Sequence, residues 1–393
     1  MALSKIDVVN MVTGATPVAN GGTGQTTFAA AGLDKRPNAT PLIVNGDMAV
    51  AQRSTSETGK TSAGYYTCDR MHANIDSIGT YTIIQESLYS GNAYINGFTK
   101  AWRIDTTTAD ASPASGDNFS FIYSFEGQDL QLFKKGTANA EKFTLAFWVK
   151  SNKTGTGNVN LFDTDNTRLI GGTYTISSAD TWEHKVVNFA ADTTGAFTND
   201  NGQSLKIEWF LDSGTNFSSG TTDTAWGSKQ DVDRNASGTL QIARNTDNDW
   251  AITGIQLEVG EYTSSTLPPF QHESYGDNLM RCHRYFEHRG YTIANQQVFT
   301  GQTISTTKCT GPTYYSVKRA SPTITLGSAI CGNQHNGVAG SVTALSTLQI
   351  GLDTARLDVT HNASTANFAI TQGMAYVQLD DTGINGLKFD AEL

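Results

Sequence analysis

The residues of this chain best placed to do chemistry are aromatic side chains stranded in polar sequence. Trp226 sits in SSGTTDTAWGSKQDVDRN, with almost nothing apolar around it. Tyr65 and Tyr66 follow a Ser/Gly-containing stretch and stand just before Asp69 and Arg70. A pyranose ring presents an apolar C–H face that stacks on Trp or Tyr, while Asn, Asp and Arg read its hydroxyls. An aromatic in such a loop either folds back onto the core or stands open for a ligand. Further along, CGNQHNGVAG (Cys331–Gly340) is a small polar loop. Its Asn333, Gln334, His335 and Asn336 are candidate receptor contacts, because loops on rigid scaffolds are where binding concentrates. Trp148, Trp209 and Trp250 lie inside apolar strand patterns and read as core.

Other chemistries find little support. No Gly-x-Ser-x-Gly elbow occurs. Gly21, Gly22 and Gly24 make a tight turn, but the Lys-Ser/Thr of a phosphate loop is missing. Asp163, Asp165 and Thr167 copy the start of an EF-hand loop. That loop then fails, with Arg168 where Gly is required and Tyr174 where the bidentate Glu belongs. His283 and His288 are five apart, off a common helical face. The four cysteines (Cys68, Cys282, Cys309, Cys331) form no Cys-x-x-Cys pair, which disfavours a structural zinc. Only Cys309 and Cys331 fall close enough to bridge, and free thiols in a reducing cytoplasm are the expectation. A formal charge of −10 without a Lys/Arg cluster argues against nucleic acid. No run of about 18 apolar residues predicts a membrane span, and the start does not read as a signal peptide. Nothing in the chain reads as catalytic.

The elements that must position these residues are mostly strands. Gly is abundant (38) and charged residues are scarce (16%), the balance of short strands joined by many turns. The expected class is all-β. Residues 41–270 read as one β-sandwich. In KFTLAFWVK (Lys142–Lys150), Phe143, Leu145, Phe147 and Val149 take one face, and Thr144, Ala146 and Trp148 the other. Residues 271–290 read as a helical linker with a stripe of Tyr275, Leu279, Cys282 and Phe286. Residues 291–393 return to strand pattern and suit a smaller C-terminal β-sandwich. Residues 1–40 read as an attachment and neck segment, with a short helix over Phe28–Ala31 capped by Thr26 or Thr27 and ended at Gly32.

Three segments, in order, carry a family resemblance. PVANGGTGQTTFAAAGL (Pro17–Leu33) resembles a neck motif of bacteriophage tail fibres. LIVNGDMAVAQRST (Leu42–Thr55) resembles the first strand of a jelly roll of carbohydrate-binding type. WAITGIQLEVGEYTSSTLPPFQHESYGDNLMRCHRYF (Trp250–Phe286) resembles the seam where that jelly roll ends and a distal β-domain begins. TYYSVKRASPTIT (Thr313–Thr325) and the ending LKFDAEL (Leu387–Leu393) resemble the terminal β-domain of such fibres. The resemblance implies a homotrimeric, non-enzymatic tail fibre, made in the host cytoplasm and carried on the virion. Its N-terminus would meet tail or baseplate proteins. Its body or tip would bind a bacterial surface polysaccharide. A connector without glycan binding is the alternative, and a depolymerase the remoter one. The same resemblance implies one structural calcium ion and makes Asn45, Asp47 and Glu258 its candidate ligands, since a hard cation takes oxygen donors. The chain departs from the family at Asp69-Arg70-Met71, where Asp-Arg-Trp is common.

Overall fold

The structure is a computed structural model that describes residues 40–290, 296–333, 339–362, 374–379 and 386–393. The neck segment, with Thr26, Thr27 and Phe28–Ala31, lies outside the described residues, as do Gln334, His335 and Asn336.

The described chain is mostly strand, as its composition predicts. Eleven strands form the first sheet system: β1 (Ser56–Tyr65), β2 (His72–Ser87), β3 (Lys100–Thr108), β4 (Asn118–Glu126), β5 (Phe143–Lys150), β6 (Gly155–Asp163), β7 (Arg168–Ile176), β8 (Glu183–Phe189), β9 (Gln203–Ser213), β10 (Gly227–Ser228) and β11 (Asp249–Val259). Their order is β10-β7-β6-β9-β4-β2-β3-β11-β5-β8, with β1 paired to β2. Neighbours are antiparallel throughout. The sheet curls until Gly172 of β7 lies against Val187 and Phe189 of β8. The inner faces therefore meet in one core.

That core is aromatic. Trp102, Trp209 and Trp250 are fully buried around Phe121, with ring centroids 4.7–5.8 Å from it. Offset and edge-on contacts of this kind add to the apolar burial of each ring. Strand β5 follows its sequence alternation, with Phe143, Leu145, Phe147 and Val149 buried in this core. Met71, where the family resemblance would place an aromatic, is buried there too.

Nine strands follow: β12 (Phe286–Arg289), β13 (Gln297–Ser305), β14 (Lys308–Tyr314), β15 (Thr323–Leu326), β16 (Ala329–Asn333), β17 (Ala339–Ile350), β18 (Thr354–His361), β19 (Met374–Leu379) and β20 (Leu387–Asp390). Where the sequence suggests a second sandwich, six of them close into a barrel in the order β13-β14-β18-β17-β16-β19. The remaining three make a small sheet, β12-β20-β15. Closure removes exposed sheet edges. It is allowed here by small interior residues, among them Cys309, Cys331, Ala355 and Ala375.

The helix Tyr275–His283 is N-capped by Ser274, whose hydroxyl accepts from the Asp277 amide at 3.2 Å. It packs through Leu279 and Cys282 against Val44, Val50, Tyr285 and Leu393. Two residues of the expected stripe fall elsewhere. Tyr275 is 56% exposed, because the buried surface begins one turn later at Asn278, and Phe286 opens β12.

Buried charges tie the first sheet system to the end of the chain. Arg70 pairs with Glu392, donates to the Ser124 carbonyl at 2.6 Å and lies 3.5 Å over the Tyr285 ring. Arg53 reaches Asp390 at 3.3 Å and Glu392 at 3.4 Å while stacking on Phe286. Buried guanidinium groups need such partners, since removing one would leave an uncompensated charge.

Candidate functional site

The aromatics singled out by sequence are all tied down. The Trp226 indole N–H donates to the Ala190 carbonyl at 2.8 Å, and its ring packs against the core 6.0 Å from Phe143. Tyr65 donates its hydroxyl to the Leu393 carbonyl at 2.9 Å, and its ring stands edge-on to His72. Tyr66 closes a local turn by donating to the Ser62 carbonyl at 2.6 Å, with Lys60 over its ring. Asn333 ends β16, beside the undescribed residues Gln334–Asn336.

The residues proposed for calcium serve other purposes. Asn45 adopts a left-handed φ of 62° and staples a turn. Its amide nitrogen donates to the Val50 and Asp69 carbonyls at 2.9 Å, and its oxygen accepts from the Val50 N–H. Asp47 accepts from Asn278 at 3.1 Å, and burial raises its carboxyl above the usual range. Glu258 lies on β11 and accepts from Gln256 at 3.2 Å. Each of the three therefore has a hydrogen-bond partner within the protein. Among the described residues no group of three or more His, Cys, Asp and Glu side chains is gathered to hold a metal.

The truncated EF-hand pattern has a different occupant. The Lys135 ammonium, fully buried, sits 2.5 Å from Asp163 and 2.9 Å from Asp192. It also donates to the Gly195 carbonyl at 2.8 Å and the Thr194 carbonyl at 3.1 Å, and lies 4.9 Å from the Trp226 ring. Arg168, the residue that spoils the EF-hand pattern, binds Asp192 through Nε at 2.8 Å. Burial would raise the Asp192 carboxyl, but hydrogen bonds from Arg168 and Lys135 outweigh it and hold the group below its ordinary value. A side-chain cation thus fills an oxygen-lined pocket and satisfies it.

An open groove lies on the opposite face of β5. Trp148 lies outside the main core: it is half-buried on the outer face, packed against a second apolar cluster that includes Leu88, Phe98 and Trp182, and 5.0 Å from the His184 ring on β8. The register sets this directly, since Trp148 pairs with His184, Ala146 with Val186 and Thr144 with Asn188. On the other side of β5, Trp148 pairs with Thr253 and Ala146 with Gln256 of β11. Phe98, Phe270 and His272 form the far wall of the groove as a ring cluster, with centroids 4.9–5.2 Å apart. Gly254 makes room for that wall: at φ +61°, a Cβ there would come within 2.6 Å of the Phe98 ring.

The resulting groove has a volume of about 380 Å³, bordered by Trp148, His184, Gln256, Phe270, His272 and Asn96 among others. A second cavity of about 320 Å³ adjoins it, sharing His184 and Ser264 and adding Thr173, Lys185, Asn188 and Tyr262. The two cavities meet at His184 and Ser264, with aromatic surface in the first and amides and hydroxyls bordering both. Lys185 is neutralised by Glu183 at 2.5 Å, so it presents no net positive charge to a ligand. Burial lowers the His184 pKa below the ordinary 6.5, which keeps the imidazole neutral near pH 7.

No family model matches the chain, and no curated protein does either. Among solved structures it is similar to the enzymatically active domain of tailspike protein 4 of bacteriophage CBA120, at 11% identity and a TM-score of 0.26. That match covers 56% of this chain and 21% of the other, so the chain spans about a fifth of the tailspike structure. It is similar to a putative sugar binding protein from Bacteroides thetaiotaomicron, at 15% identity and a TM-score of 0.28, covering 56% of this chain and 100% of that one. It is also similar to TmCBM61 in complex with β-1,4-galactotriose, at 8% identity and a TM-score of 0.27, covering 56% and 99%.

The sequence holds the signal for Trp148. Strict alternation in β5 places it opposite the four core residues. Its apolar character alone suggested burial.

Proposed function

We propose that this protein binds a bacterial surface glycan through the Trp148–His184 groove and acts as an adsorption fibre of a phage tail. The observation that carries the binding reading is the half-open Trp148 ring beside Ala146, with Gln256, Asn188 and His184 bordering the two cavities. A pyranose C–H face stacks on such a ring while the neighbouring imidazole reads a hydroxyl. Two adjoining cavities suit an extended, uncharged saccharide chain better than a single ring. The virion role is supported by the ordered resemblance of Pro17–Leu33, Leu42–Thr55 and Trp250–Phe286 to tail-fibre segments. Single saccharide sites bind weakly, and three chains per fibre would raise avidity through effective concentration.

Glycan-array binding of the purified protein, followed by calorimetry on the best ligand, tests this reading. Trp148→Ala is expected to weaken binding by at least about tenfold without unfolding the sandwich. Unchanged binding in that variant would reject the groove as the site. A second reading, a rigid connector, is favoured by the buried seam in which Arg70 and Arg53 both reach Glu392. A folded oligomer that binds no glycan would support it. Light scattering tests the expected trimer.

A further inference from the structure

The distal barrel contains a feature that glycan binding does not use. Cys309 lies on β14 and Cys331 on β16, both with no exposed surface. Their Sγ atoms are 2.6 Å apart in the barrel interior. The two strands are not neighbours. In the closed order β13-β14-β18-β17-β16-β19, they stand opposite each other, with two strands between them on either side. The pairing on each wall fixes where the sulfurs point. Cys309 is in register with Val359 and Cys331 with Val377, and all four side chains belong to one apolar cluster. The other two cysteines are placed differently: Cys68 donates to the Met48 carbonyl at 3.8 Å and Cys282 to Asn278 at 3.9 Å.

We propose that Cys309 and Cys331 form a disulfide across the barrel once the protein leaves a reducing compartment. The chemistry needs a thiol oxidant, and a small-molecule disulfide such as oxidised glutathione supplies it. The thiolate of one cysteine attacks a sulfur of that disulfide and expels one glutathione thiolate. The second cysteine thiolate then attacks the protein sulfur of the mixed disulfide and expels the other. Two protein thiols lose two electrons and two protons, and one oxidised glutathione becomes two reduced ones. Because both thiols are buried, exchange proceeds when the barrel opens. The closed barrel then protects the bond. The link joins opposite walls and closes a short loop, so it acts on the barrel as a clamp. The proposal does not rest on the glycan reading and is measured without any ligand.

The experiment uses the full chain, held in oxidised or in reduced glutathione, then denatured, alkylated and peptide-mapped. The expected result is one cross-link between the Cys309 and Cys331 peptides, lighter by two hydrogen atoms, with Cys68 and Cys282 alkylated. Reduction should lower the distal melting midpoint by about 10 °C. A Cys309→Ala/Cys331→Ala protein should melt at one temperature in both buffers. Alkylation of all four cysteines after oxidised glutathione would overturn the proposal, as would a cross-link through Cys68 or Cys282. Mapping of the unmodified protein decides the matter even if the double variant fails to fold.

Discussion

Two half-buried tryptophans of one sandwich have opposite surroundings. Trp226 stands in a polar loop, yet its N–H is bonded to Ala190 and its ring covers the Lys135 ammonium. Trp148 stands in an apolar strand, yet it faces outward onto a groove. Polar neighbours in sequence do not expose an aromatic ring. What matters is what the folded chain packs around the ring. Around Trp226, Lys135, Asp163, Asp192 and Arg168 satisfy each other. Around Trp148 the amides are bonded too, Gln256 to Glu258 and the Pro268 carbonyl and Asn188 to Thr144 and the Tyr262 carbonyl, but the ring and the His184 imidazole border an open groove.

The largest expected effect breaks the closed side of this contrast. Lys135→Met would leave Asp163 and Asp192, both buried, without their shared cation. Removing one partner of a buried ion pair costs about 3–5 kcal/mol. Denaturant titration should show a loss of that size, with glycan affinity of the remaining folded protein unchanged. A loss below about 1 kcal/mol would mean that water or ions reach the pocket, and the contrast would fail.

Exchanging the two rings sharpens the comparison. Trp148→Ala should weaken glycan binding by at least about tenfold, close to 1.4 kcal/mol, and, because the ring also packs on the Phe98–Trp182 cluster, should cost roughly 1–3 kcal/mol of stability. Trp226→Ala should affect stability alone. It removes a ring packed on Phe143 and Lys135, for roughly 2–3 kcal/mol of stability, and leaves binding intact. Parallel melting curves and calorimetry on both variants would show binding lost in only one of them. If Trp226→Ala lost binding at full stability, the sequence expectation for that loop would be restored.

Much of this was legible in the residues and some was not, for a physical reason. Alternation in Lys142–Lys150 gave both faces of β5 correctly, because a strand's period depends only on local geometry. The groove walls come from Phe98 and from Pro268–His272, which approach β5 only after the sheet curls. The Lys135 pocket joins residues from three separate segments. Its EF-hand-like start was visible, but the cation that fills it was not. The Arg70–Glu392 pair spans 322 positions, so nothing near Asp69-Arg70 in the sequence announces the seam that it forms. Barrel and sandwich share the same period of two. The distinction depended on β13 pairing with β19 far along the chain.

Acid separates the two regions again. Asp192 is held below its ordinary 3.8 in the folded state. A depressed carboxyl contributes stability above its unfolded pKa, and that contribution is lost as pH falls through the folded value. The closed pocket should therefore weaken only below about pH 4, seen as a falling melting midpoint there. Lys135→Met should change the slope of that limb, since it removes one of the bonds that depress Asp192.

The smallest effect belongs to the groove and lies at milder pH. His184 is depressed below 6.5 by burial, so its neutral form is favoured in the folded protein. Its contribution to stability is complete above 6.5 and declines as pH falls through the folded pKa. A neutral saccharide laid over the ring excludes more water and disfavours the imidazolium further. Affinity should then be flat above pH 7 and fall about two- to threefold toward pH 5, roughly 0.5 kcal/mol. His184→Gln keeps a hydrogen-bonding amide but cannot gain a proton, so its affinity should not vary over that range. Calorimetry at several pH values in both proteins checks this. Identical profiles would show that the ligand does not cover His184, and would move the binding surface toward Phe98 and Phe270 at the far wall of the groove.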